Sequence, residues 1–446
     1  MLFMSHFEFC ERFVENIMDG LNQEILQLLK ESLFPDTYND TCLNDSCDWK
    51  AVFLEMRQQT VAALPREWLK RHKISDMSLY NEWSKECIAQ MRRWVQIMCA
   101  QKNVLSLLEE NSIKCVIIKG VAAGMAYPQP ALRAAGDIDL LVKRKDYENA
   151  ARVLEENGYQ LVGEKDPKRH HYVYKKNTVV FELHRRLADI LESDEELLCL
   201  FEEGVDRREM REVKQFTFPV LPQELNGLAL LLHINQHLRG GLGLRQIIDW
   251  MMYIHENDGM DQLIPLLKRT GMERFANSVT VMCQKYLGLG NFVHDTGDYP
   301  CEKLINYIFM KGNFGRKSGK EGKITGTFLD MSDIVRVFRR LQIGGMSRWT
   351  LAKKYTILRP FAWAFQILHI SKYLLENKIS LRKMGELQKI GQQQRDLIIE
   401  LGLNVEKRIK KIECELPMIL HLKKLILCNL YKMSFFLILL QLSDRR

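Results

Sequence analysis

Between residues 115 and 142 the chain reads CVIIKGVAAGMAYPQPALRAAGDIDLLV, and no other stretch narrows the possible folds as much. Cys115, Val116, Ile117 and Ile118 form an apolar run of strand length that ends in Lys119-Gly120. About one short helix later, a second strand-like run opens with Asp137-Ile138-Asp139. Side chains alternate along a strand, so Asp137 and Asp139 share one face while Ile138 and Leu140 take the other. Two carboxylates side by side repel each other and are costly to bury without a cation between them. Mg²⁺ suits that place, because it prefers hard oxygen ligands and is commonly held by one or two carboxylates together with substrate phosphates. Lys119 adds a compact positive charge, and Gly120 a backbone that an anion can approach closely. The order of these residue types predicts a metal-dependent site for phosphoryl or nucleotidyl transfer. A lone D-x-D would be no more than a solvated strand edge.

The whole chain sets looser bounds. Its 446 residues suffice for two or three domains, and a composition 46% hydrophobic and 27% charged is ordinary for a soluble globular protein. A formal charge of +8, from 64 basic and 56 acidic residues, permits an anionic substrate. It does not demand nucleic acid, whose usual mark is a concentrated basic stripe. The 11 cysteines lack C-x-x-C pairs, which suits a reducing cytoplasm better than a disulfide framework or a zinc site. The first residues carry His, Glu and Arg and lack the features of a signal peptide, so a cytoplasmic location is expected.

Taken in order, the chain predicts helices over residues 11–33, 49–64, 79–99 and 103–110, a lead-in without a chemical cluster. Residues 146–157 form an amphipathic pattern closed by Asn157-Gly158, a good helix stop. A short strand over 159–162 follows, then a hairpin of residues 171–174 and 178–183 about Lys175-Lys176-Asn177. In its second arm Val180, Glu182 and His184 share a face. A carboxylate among strand hydrophobics needs a reason. Glu182 is either part of the acidic site, as metal ligand or general base, or an exposed residue partnered by Lys175 and Lys176. His184 and the pair His170-His171 are weaker candidates, since a histidine near a hairpin is usually half-buried and hydrogen-bonded. Residues 194–219 are charge-dense and read as a surface helix and connection.

Beyond residue 221 the pattern is helical. His233 and His237 stand four apart, but Ile234 occupies the place where an H-E-x-x-H metalloprotease needs its glutamate. Arg245 and Asp249, also four apart, fit an intrahelical ion pair worth about 0.3–0.5 kcal/mol. Residues 311–326, KGNFGRKSGKEGKITG, fail the P-loop spacing and predict a mobile basic loop, a candidate lid over an anionic substrate. Residues 332–377 are helical and basic with interleaved aromatics, a pattern of packed helices or of a membrane-surface face. In the apolar tail, 418–442, the longest uncharged run covers residues 433–442, half of the roughly 20 residues that spanning requires. No transmembrane segment is expected, and peripheral membrane or partner contact would fall to these C-terminal helices.

The stretch 115–142 resembles the nucleotidyltransferases of the DNA polymerase beta-like superfamily. It is most similar to an uncharacterised bacterial family that carries a K-G motif and then R-x-x-G-D-[IL]-D-[LIV]-[LIV]-V, matched here by Lys119-Gly120 and by Arg133 through Val142. The resemblance implies an α+β fold, a small mixed sheet flanked by N-terminal and C-terminal helical regions. It implies catalytic carboxylates Asp137, Asp139 and Glu182 holding Mg²⁺, or alternatively Mn²⁺. Lys119, Gly120 and Arg133 would bind the phosphates of an NTP. An H-x-x-x-H helix followed by R-x-x-x-D in the family implies that His237, Arg245 and Asp249, together with His184, line the pocket. The superfamily's usual G-[GS] is broken by Val121, so a hydroxyl contact to phosphate is missing. The expected organisation is a helical region 1–100, a nucleotidyltransferase core 101–220, a helical domain 221–310, a basic loop 311–330 and a C-terminal helical region 331–446. The expected reaction is transfer of NMP from an NTP to an unidentified acceptor, either a sugar or lipid-linked molecule or an RNA or protein. The alternatives are a catalytically silent nucleotide- or partner-binding protein and a membrane-peripheral scaffold.

Overall fold

The apolar and alternating runs pair into one mixed sheet. A computed structural model of the chain describes residues 20–38, 47–72, 74–166, 169–188, 190, 193–238, 240–294, 297–315, 341–342, 344–346, 348–376 and 381–403. The strands are β1 (Cys115–Ile118), β2 (Asp137–Val142), β3 (Gln160–Leu161), β4 (His171–Lys176), β5 (Val179–His184), β6 (Glu209–Val213) and β7 (Phe216–Val220), in the spatial order β3-β4-β5-β2-β1-β7-β6. β2 runs parallel to β5 and β1 parallel to β7, while the remaining pairs are antiparallel. This is the α+β architecture that the sequence implied.

Two hairpins show how local chemistry fixes the register. The β4–β5 turn is tighter than the sequence suggested: Lys176 pairs with Val179, leaving Asn177-Thr178 as the loop, and Asn177 takes φ 54°. Asn tolerates that left-handed conformation, which two-residue hairpins demand. The second hairpin, β6–β7, lies where the charge-dense sequence predicts the end of a surface helix and a connection. Charge density hid an alternation in which Phe216 and Phe218 turn into the core while Thr217 stays exposed.

The described helices before the sheet are α1 (Gly20–Leu33), α2 (Trp49–Gln58), α3 (Arg66–Arg71) and α4 (Met77–Glu110). α4 runs unbroken for 34 residues where two helices were expected, and Asp76 caps it by accepting from the Ser78 and Leu79 amides. Next come α5 (Gly120–Gly124) and α6 (Tyr147–Glu156). One face of the sheet, with Ile117, Ile138, Leu140, Phe181, Leu183 and Phe218, packs against Trp94, Ile97 and Val104 of α4 and Ala150, Ala151 and Leu154 of α6. Strand alternation therefore leaves Asp137, Asp139, Glu182 and His184 together on the other face.

Helices α7 (Glu195–Asp206), α8 (Gln223–His237), α9 (Leu244–Glu256), α10 (Ile264–Thr270), α11 (Glu273–Leu287) and α12 (Cys301–Lys311) follow. α9 is buried along nearly its whole length, Trp250, Ile247 and Ile254 included, and it packs against α5, α8 and α11. Its approach to α8 depends on Gly227, because a Cβ there would fall 2.5 Å from the Tyr253 ring. Beyond these are α13 (Thr350–Lys354), α14 (Ala362–Glu376) and α15 (Leu381–Glu400). All belong to the unit Met1–Leu401; of a second unit, Gly402–Arg446, only residues 402–403 are described. Most of the predicted basic loop, from residue 316 onward, and the apolar tail 418–442 lie outside the described residues. Among the described residues no helix is long and apolar enough to cross a membrane.

Candidate active site

Strand register assembles the acidic centre. In the parallel β2–β5 pair Asp139 lies directly across from Glu182, and in the antiparallel β1–β2 pair Ile118 lies across from Asp139. Lys119, the next residue after β1, is thereby delivered to the same spot, and its Nζ donates to Asp139 Oδ1 at 3.2 Å. The turn that achieves this is strained, with Lys119 at φ 54°, ψ −139° and Gly120 at φ 34°. Such a conformation is nearly reserved for glycine, and a non-glycine residue holds it at a cost of about 1–3 kcal/mol. A Cβ on Gly120 would lie 3.6 Å from the Asp137 carbonyl and 3.9 Å from Asp139 Oδ2, so this backbone passes directly over the carboxylates.

His184 completes the cluster. It is 1% exposed, and its Nε2 lies 3.0 Å from Asp139 Oδ1 and 3.2 Å from Glu182 Oε2. Burial opposes charge on every member, and pairing decides the outcome for each. Lys119 and then His184 outweigh burial and hold Asp139 well below the usual carboxylate range. Against burial, the His184 hydrogen bond lowers Glu182 too. Asp139 and Glu182 in turn raise Lys119 above its ordinary value, and against burial and Lys119 they raise His184 as well. Asp137 goes the other way. Burial first, then the charges of Asp139 and Glu182, push it up to about 6 against the pull of Lys119 and Arg245. A third carboxylate this reluctant to ionise marks a place where a divalent cation would relieve repulsion. One ligand atom each from Asp139, Glu182 and His184 lie within 4.8 Å of one another, so the Asp139 and Glu182 oxygens already converge as an oxygen-preferring ion requires.

Not every residue expected at the site reaches it. Arg133 is 3% exposed and directs its hydrogen bonds to Asp249 and a backbone carbonyl, while the Asp137 charge lies near enough to favour its ionised form. Its Nε and Nη2 donate to Asp249 Oδ1 and Oδ2 at 3.0 and 2.6 Å, and its Nη1 donates to the Ala134 carbonyl at 2.9 Å. The Tyr127 hydroxyl adds a 2.7 Å bond to Asp249 Oδ1. Asp249, itself 1% exposed, is thus the anchor of the loop before β2; its hydrogen bonds come from Arg133 and Tyr127, while its charge also favours the ionised form of Arg245. Arg245 donates through Nη1 to the Ala134 carbonyl at 3.1 Å and lies near enough to Asp137 to favour its ionised form. His237 does face the centre, with its Nε2 2.8 Å from His233 Nε2. Burial, then Arg245 and Lys119, push His237 down to about 4, and His233 falls well below its ordinary value.

Sequence reasoning missed several supports. Gln90 of α4 donates to the Arg133 carbonyl at 2.9 Å, and Arg93 donates to the Gly136 and Thr178 carbonyls at 2.9 and 3.1 Å. These side chains hold the strand entering the acidic centre from 43 residues upstream. Nothing local in α4 signals the role.

The profile of a family described as uncharacterised nucleotidyltransferase matches residues 45–288. The chain belongs to this family. In this nucleotidyltransferase the matched span includes every strand of the sheet, the carboxylates Asp137, Asp139 and Glu182, and the helices that carry His237, Arg245 and Asp249. No curated protein matches the nucleotidyltransferase chain.

Proposed function

We propose that the protein transfers NMP from an NTP to an acceptor hydroxyl in a reaction that needs Mg²⁺ or Mn²⁺. The observation that carries this reading is the register match of Asp139 with Glu182, with Lys119 brought to the same face. Asp137, Asp139 and Glu182 would hold the metal, which would supply charge neutralisation for the triphosphate and the leaving pyrophosphate.

The chain's own groups do the rest. Lys119 exchanges its contact with Asp139 for the phosphates, and the Gly120 backbone allows close approach. Arg245 supplies the second positive charge, the place expected for Arg133, whose nitrogens are engaged elsewhere. The acceptor oxygen forms a bond to the α-phosphorus as the bond to the bridging oxygen breaks. Pyrophosphate leaves with that electron pair, and Glu182 takes the hydroxyl proton. Transfer of this kind depends chiefly on positioning and electrostatic stabilisation, which this set of residues provides. The acceptor is a sugar or lipid-linked hydroxyl, or one on RNA or protein.

Incubation of the full chain with each α-labelled NTP, Mg²⁺ and cell extract tests the proposal, with Asp139→Ala as control. Label should enter an acceptor and pyrophosphate should appear with wild type only. Nucleotide binding without either product would favour the catalytically silent reading instead.

A further inference from the structure

The face that carries the carboxylates also carries three histidines that NMP transfer leaves unused as a group. In the antiparallel β4–β5 pair His171 lies directly across from His184, and His170 is held beside them by the bond from the Arg185 amide to its carbonyl at 3.0 Å. The ring centroids lie 4.2 Å apart for His170 and His171, 5.0 Å for His171 and His184, and 6.0 Å for His170 and His184. One ring nitrogen of each falls within 4.8 Å of the other two.

Two of these rings are incompletely satisfied. The Nδ1 atoms of His171 and His184 are buried and have no hydrogen-bond partner among the described residues. A buried polar nitrogen without a partner is uncommon and calls for an explanation. The other nitrogen of each ring faces a carboxylate. His184 Nε2 is 3.0 Å from Asp139 and 3.2 Å from Glu182, and His171 Nε2 is 3.9 Å from Glu182. A carboxylate behind one nitrogen fixes the ring's orientation, and an ion that displaces the proton from the second nitrogen takes up its lone pair, the arrangement usual for metal-bound histidine.

We propose that His170, His171 and His184 form a three-imidazole site for a borderline divalent transition metal ion, Zn²⁺ in the first instance. The donor set decides the kind of ion. Imidazole suits Zn²⁺ and its neighbours, whereas Mg²⁺ selects carboxylate, carbonyl and water oxygens. Zinc binds imidazole at about 2.0–2.1 Å and is commonly four-coordinate, so three histidines leave a fourth position for water or a substrate atom. His184 belongs to both centres. An ion on its Nδ1 would keep Nε2 directed at Asp139 and Glu182, so the histidine site would position the acidic one.

The test uses the full chain, stripped with a chelator and titrated with Zn²⁺ or Co²⁺ in a large excess of Mg²⁺. Wild type should bind one equivalent, with Co²⁺ giving the visible absorption of a nitrogen-rich, low-coordinate site. His170→Ala and His171→Ala should each weaken Zn²⁺ binding at least tenfold, in samples whose metal-free circular dichroism matches wild type. Unchanged affinity and spectrum in both variants would overturn the proposal, because neither residue belongs to the Asp139, Glu182 and His184 group. X-ray absorption on zinc-loaded wild type gives a readout free of any variant. Imidazole scattering from about three nitrogens is expected, and an oxygen-dominated shell, or no bound zinc, refutes the site.

Discussion

Arg133 and Asp249, 116 positions apart in the chain, meet through two hydrogen bonds of 3.0 and 2.6 Å in a place that is almost dry. The pair ties the loop entering β2 to the buried helix α9. Removing one member strands a buried charge, which is far more damaging than losing both. Asp249→Ala should therefore cost about 3–5 kcal/mol in urea denaturation. The double change Arg133→Met with Asp249→Leu should recover most of that loss. A single-variant cost below about 1 kcal/mol would mean that the guanidinium escapes to water and that the clamp is slack.

Asp137 should make the protein less stable as pH rises. Its carboxyl is raised from 3.8 to about 6 in the folded chain, so between those values the folded state holds the proton more tightly than the unfolded state. Stability falls across that window and stays lower above it. In the presence of chelator, Asp137→Asn should exceed wild type by about 1–2 kcal/mol above pH 6, allowing for partial solvent screening, and show no advantage near pH 4. Thermal denaturation across that range checks it. A variant as labile as wild type at pH 7.5 would show that the three carboxylates do not strain one another. Divalent ions should shrink the difference.

Much of this arrangement was visible in the sequence for a plain reason. Asp137, Asp139, Lys119 and Glu182 sit in strands or next to them, where period-two alternation fixes the face and apolar neighbours fix the burial. What remained hidden depends on pairings over long sequence separations. Arg245 and Asp249 have ideal helical spacing, yet α9 is buried and its acid is claimed by Arg133 and Tyr127 from the other side. Spacing on one helix cannot reveal a competitor from another element. The β6–β7 hairpin was obscured differently, because Glu209, Arg211 and Glu212 put charges on an edge strand, where such residues protect against unwanted pairing.

The turn after β1 predicts an inverted preference between two small residues. Both Lys119→Ala and Lys119→Gly remove the contact with Asp139, and neither variant should turn over NTP. They differ only in the backbone, held at φ 54°, ψ −139°. Glycine adopts that conformation without the penalty of a Cβ, so Lys119→Gly should be more stable than Lys119→Ala by about 1–2 kcal/mol. At an ordinary position glycine's greater unfolded-state entropy would favour alanine. Melting temperatures of the two variants in the same buffer decide the point, and equal values would remove the case for stored strain.

His184 should set the acid limb of the activity profile. Its hydrogen bonds and charge hold Asp139 and Glu182 below the pH at which they would otherwise take up protons. His184→Asn keeps a donor of similar reach but cannot carry the charge. Without the imidazolium, both carboxylates should retain protons to higher pH, so metal and base function would be lost earlier as pH falls. In kcat/KM measured at saturating Mg²⁺, the acid limb should move up by about one pH unit. His184→Leu, which removes the hydrogen bond as well, should move it further. A limb that stays in place in both variants would mean that His184 is neutral beside the carboxylates and that Lys119 alone keeps Asp139 ionised.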